Sequence, residues 1–81
     1  MNEAEILHVL LETIVRFFGD ASLTIGAETV AADVPGWDSL ANVELMVEIE
    51  DAFGVRFRTG EVASLASVGD LAALIGRRVA R

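Results

Sequence analysis

Apolar positions recur at helical spacing over three stretches of the 81-residue chain. Ile6, Leu10, Ile14 and Phe17 form one stripe, widened by Leu7, Leu11 and Phe18, which predicts a first helix over Glu3 to Phe18. Asn2 with Glu5 three residues on makes a capping box at its start, and Gly19 is a stop signal. A second helix is predicted from about Asp38, the N-cap, to Phe53, with Gly54 as its C-terminal stop. A last helix over Val68 to Val79 buries Leu71, Leu74, Ile75 and Val79 behind a Ser67/Asp70 capping pair.

Between the first two helices lies the loop "GDASLTIGAETVAADVPGW", which holds three glycines and the only proline. A loop this long in a small domain is functional or pinned by its own side chains. Leu23, Ile25, Val30 and Val34 are the candidate pins. A short helical turn is expected over Gly60 to Ser64. "GVRFRT" alternates briefly, but an isolated strand has nothing to pair with. The expected architecture is all-α. It is a small four-helix bundle, three main helices plus a short third one, with a long first loop, and residues 1–81 form one domain.

The second helix carries more apolar residues than one buried face can use. Helical geometry advances by about 100° per residue. With Ser39 set at zero, Asn42, Leu45, Met46, Ile49 and Phe53 fall on an arc from about 240° to 340°, the core face. Leu40, Val43 and Val47 fall at about 40° to 100°, on another side. Glu50 flanks this second strip on one edge; Glu44 and Asp51 flank it on the other, with Glu48 beyond them. An apolar strip bordered by carboxylates has the character of a docking surface: burial supplies affinity, charge supplies steering. The same pattern also arises where Val43 and Val47 pack beneath the long loop and the acids are only solvated.

Charge sharpens this picture. Net charge is −7. Between Arg16 and Arg56 the chain has eight carboxylates and no basic residue; from Arg56 on, five arginines face only Glu61 and Asp70. An acidic protein of this kind repels nucleic acid and anionic lipid and is drawn to basic partners. No segment approaches a membrane span, and the "MNEAE" start is unlike a signal peptide. The absence of cysteine removes disulfides and thiol nucleophiles and fits a cytoplasmic location.

Ser39 sits in the first turn of the acidic helix, near free backbone N–H groups and the positive end of the helix dipole, where a phosphate is electrostatically tolerated. Sharing the cap with Asp38 is the simpler role for a serine here. Catalysis by Ser39 lacks support. No G-x-S-x-G elbow is present, and the only histidine, His8, lies in the first helix, where a surface position is expected. The acids do not follow EF-hand spacing, and one histidine without cysteine does not make a zinc site.

Asp38-Ser39-Leu40 at the head of "ANVELMVEIEDAFGVRF", after a loop ending "DVPGWDSL" and before "ASVGDLAALI", resembles the acyl carrier protein family over nearly the whole chain. The resemblance implies that Ser39 receives 4′-phosphopantetheine from coenzyme A through a separate phosphopantetheinyl transferase. It implies a monomeric carrier without its own catalytic activity, which holds an acyl group as a thioester on the arm. The partners would be acyl-loading and acyl-transferring enzymes with basic docking patches. By position, Asp38 matches the acid before the modified serine; Leu40 and Val43 match apolar partner contacts; Glu44, Glu50 and Asp51 match acidic recognition positions; Val47 joins them from the helix geometry.

Ala41 stands where many fatty-acid carriers have an acid. Trp37 and "FGVRF" are more similar to free-standing carriers of polyketide or other specialised pathways. Fatty-acid, aminoacyl and D-alanyl carriers are the alternatives within the family. An unmodified helical interaction module is the alternative of another class. If Trp37 is buried, its indole N–H requires an acceptor.

Overall fold

The computed structural model describes residues 2–20, 22–63 and 67–79, with the side chains of Thr59 and Ala63 outside the description. Its elements are α1 (Glu3–Phe18), a 3₁₀ turn (Ala31–Asp33), α2 (Ser39–Phe53), α3 (Thr59–Ala63) and α4 (Val68–Val79). No strand occurs among the described residues, "GVRFRT" included. The short helix begins one residue before the expected Gly60, and Ser64, its expected end, lies outside the described residues.

Local chemistry sets the helix ends. Asn2 and Glu5 form the capping box reciprocally, with Glu5 N–H donating to Asn2 Oδ1 (2.8 Å) and Asn2 N–H to Glu5 Oε1 (3.0 Å). Asp38 caps α2 by accepting the Ala41 N–H at 2.8 Å. Gly54 closes α2 at φ 66°, a left-handed conformation that costs a side-chain-bearing residue free energy. At α4, Ser67 Oγ accepts the Asp70 N–H at 3.3 Å.

α1 packs against both α2 and α4. The core between them is built from Ile6, Leu10 and Ile14 of α1, Leu45, Met46 and Ile49 of α2, and Val68, Leu71 and Ile75 of α4. These are the inward stripes read from periodicity, except that Phe17, Asn42, Phe53 and Val79 are only half-buried, Leu74 is buried outside this cluster, and Val68 joins the core. Thr13 is the one polar side chain buried among the described residues; its hydroxyl donates to the Val9 carbonyl at 2.8 Å, which removes the desolvation cost.

The long loop is pinned by Val34, which is buried, and by half-buried Leu23, Ile25 and Val30. It does a second job. Thr29 C=O accepts the Val68 N–H (2.9 Å) and Ala27 C=O accepts the Gly69 N–H (2.7 Å), so loop carbonyls satisfy orphan donors at the start of α4. The approach is close: a Cβ on residue 69 would lie 3.0 Å from the Ala27 oxygen. This join brings α4 and the loop to the end of the bundle where α2 begins. Among the described residues, no helix is long and apolar enough to cross a membrane.

Candidate functional site

The junction of loop and α2 places Ser39 at the surface. Asp38, not Ser39, caps the helix, since its carboxylate takes the Ala41 N–H and its carbonyl takes the Asn42 N–H at 2.9 Å. The Ser39 hydroxyl makes no hydrogen bond with the described residues. It is therefore an exposed nucleophile-type oxygen beside the positive end of a 15-residue helix, with no base bonded to it among the described residues. His8 is remote from it on α1, exposed, with Nε2 3.3 Å from Glu12 Oε1.

A groove of about 570 Å³ adjoins Ser39. Trp37, Asn42 and Met46 form one side, and Val62, Val68 and Leu71 form the other. Trp37 is half-buried and packs obliquely on Phe18 at the end of α1, with ring centroids 5.7 Å apart. Its indole N–H finds the required acceptor in Asn42 Oδ1, 2.9 Å away. Sequence reasoning identified the need but not the partner, because Asn42 lies across the loop–helix junction.

Along α2, Leu40, Val43 and Val47 are 70%, 62% and 50% exposed. They do not pack beneath the loop, and the second apolar strip faces solvent. Glu44, Glu48 and Asp51 are exposed beside it. This two-sided distribution makes α2 the least amphipathic of the three long helices.

Glu50 stands apart from the other acids. Its side chain is only 15% exposed. One carboxylate oxygen accepts the Phe57 N–H at 2.8 Å, and the other lies 3.9 Å from the exposed Arg56 guanidinium. Glu50 thus holds the segment between α2 and α3 rather than joining the solvent-facing row. The same segment is tied from α4: Arg78 Nε donates to the Arg56 carbonyl at 3.4 Å, and the Arg78 guanidinium pairs with Glu61. The Arg58 N–H donates to Glu61 Oε1 at 2.9 Å and is the main reason that the Glu61 carboxyl titrates below its ordinary range.

The phosphopantetheine attachment site family model matches residues 8–75, a span that contains Ser39, α2 and its flanking elements. The chain belongs to the acyl carrier protein family. An acyl carrier protein of Acidothermus cellulolyticus is 37% identical over 70 residues, covering 86% of this chain and 83% of the relative. The meromycolate extension acyl carrier protein of Mycolicibacterium aurum is 34% identical over 74 residues, covering 91% and 76%. The solution structure of a holo acyl carrier protein from Geobacter metallireducens superimposes with a TM-score of 0.86 at 37% identity, covering 94% of this chain and 87% of that one. The prosthetic group of this carrier family is 4′-phosphopantetheine, and an exposed serine hydroxyl left free by its own helix cap fits that group.

Proposed function

We propose that Ser39 is the attachment point of 4′-phosphopantetheine and that residues 1–81 act as one carrier domain. The observation that carries this reading is the free, exposed hydroxyl at the first turn of α2, kept out of the cap by Asp38. The arm supplies a thiol to a chain that has no cysteine. The protein's own part is to hold Ser39 accessible, to set a polyanionic helix face beside it and to offer an adjoining groove. Asp38 serves the site indirectly, by fixing the first turn.

The transferase and the acyl-handling enzymes dock on Leu40, Val43 and Val47 through apolar contact, steered by Glu44, Glu48 and Asp51 toward basic patches. Glu50 contributes charge to this face, but its carboxylate is committed to Phe57 N–H. The chain works as a monomer, without catalytic groups of its own, on protein partners rather than nucleic acid or membrane. Polyketide or other specialised biosynthesis is the pathway reading, supported by Trp37 and by Ala41 in place of an acid. Similarity to meromycolate extension carriers supports a second reading, service to a lipid chain-extension system.

The test is intact mass after incubation with coenzyme A and a broad-specificity transferase. A gain of one phosphopantetheine in the wild type, absent in Ser39→Ala, supports the carrier. An unchanged mass with several transferases would favour the unmodified interaction module.

A further inference from the structure

Asn42 carries an orientation that the rest of the groove does not. The indole N–H of Trp37 is a donor only, so the atom it meets at 2.9 Å must be the amide oxygen of Asn42. The amide cannot flip without stranding that half-buried N–H. Its NH₂ group is thereby directed away from Trp37. Among the described residues nothing accepts a hydrogen bond from it, and it is not sealed from solvent. Asn42 lies one helical turn below Ser39, about 4.5 Å along the axis. It lines both the 570 Å³ groove beside Ser39 and a second groove of about 320 Å³, where Val47, Phe57 and Val62 also lie.

We infer that the Trp37–Asn42 pair makes Asn42 a fixed hydrogen-bond donor in the groove, which selects acyl chains bearing a second carbonyl oxygen, at C3, over chains of the same length that are hydrocarbon beyond the thioester. The inference rests on the carrier reading and gives it a substrate class. A hydrocarbon chain laid past Asn42 would cover the NH₂ without offering an acceptor, and a covered, unpaired polar group is costly. A 3-oxo chain pairs it. Of the other groove residues, Met46, Val62, Val68 and Leu71 are apolar and discriminate little between the two, while the hydroxyls of Thr29 and Ser67 are engaged by the Gly26 and Asp70 N–H groups.

The experiment loads the full chain with hexanoyl- or 3-oxohexanoyl-phosphopantetheine and measures hydrolysis of each thioester at neutral pH by intact mass. Each rate is divided by that of the same thioester on free pantetheine, which removes intrinsic reactivity. In the wild type, protection of the 3-oxo chain should exceed that of the hexanoyl chain about five-fold, the worth of one neutral hydrogen bond. The Asn42 side-chain NH₂ resonances should shift with the 3-oxo chain and not with the arm alone. Asn42→Asp keeps an acceptor for the Trp37 N–H and removes the donor; it should retain the Trp37 indole resonance and lose the five-fold preference. Trp37→Phe, which frees the amide to rotate, should reduce it. Equal protection of the two chains, a preference that survives Asn42→Asp in a folded protein, or an NH₂ shift already complete with the arm alone would overturn the inference. Failure to load at all removes the carrier reading along with it, whereas full loading without chain preference removes this inference only.

Discussion

Glu50 separates a structural acid from its solvent-facing neighbours on the same helix. Glu50→Ala deletes the carboxylate that accepts the Phe57 N–H at 2.8 Å and leaves that donor in a half-buried position. A hydrogen bond to a charged group contributes about 1.5–3 kcal/mol. The Arg56 contact adds little, since the guanidinium is 85% exposed and 3.9 Å away. For a domain of this size, about 4–8 °C of Tm accompanies each kcal/mol, so Glu50→Ala should lower Tm by about 6–24 °C. Glu50→Gln keeps a neutral acceptor and should lose roughly half as much. Asp51→Ala and Glu48→Ala, both exposed, are the controls and should stay within about 0.5 kcal/mol of wild type. Thermal unfolding followed by circular dichroism reads all four. If Glu50→Ala melts with the controls, the carboxylate does not hold the α2–α3 segment, and Glu50 belongs with the docking acids after all.

Val43→Asp and Glu44→Lys should slow acyl transfer between partner enzymes while leaving helicity and Tm unchanged; loss of helicity ahead of transfer would make these residues structural. Leu45→Ala, at a fully buried position, should cost about 2–5 kcal/mol by chemical denaturation, and a smaller loss would mean the core collapses around the cavity. Glu61 has its carboxyl pKa lowered chiefly by the Arg58 N–H, so its stabilising contribution is present above the ordinary carboxylate range and disappears as pH falls through the lowered value. The Arg58 amide resonance should therefore titrate with a midpoint below that of an ordinary glutamate, and Glu61→Gln should abolish the titration; an amide that does not move between pH 6 and pH 3 would contradict the bond.

Much of the site was legible because it is built from contacts within four residues. Asp38 caps through Ala41, Asn2 pairs with Glu5, and the angular separation of Leu40, Val43 and Val47 from Leu45 and Ile49 follows from helical pitch alone. The choice left open at Ser39, cap or free hydroxyl, was not local. Two oxygens stood within reach of the same donors, and the extended backbone at Asp38 decided which one turned toward Ala41. Likewise, periodicity put Val43 and Val47 outside the main core but did not say whether the loop covered them; the path of the loop onto α4 leaves them bare.

The amino-acid sequence by itself determined the three long helices, their caps, the excess of apolar residues on α2 and the concentration of acid around Ser39. Those properties depend on residue type and on spacing along a rigid local geometry. Tertiary structure alone decided that Glu50 turns to Phe57, that Asn42 receives the Trp37 indole, and that Ala27 and Thr29 lend their carbonyls to α4. Each of these joins groups on opposite sides of a turn or loop, where many backbone paths satisfy the same pattern. The path adopted buries Val34 and, among the described residues, leaves no buried side-chain nitrogen or oxygen without a partner.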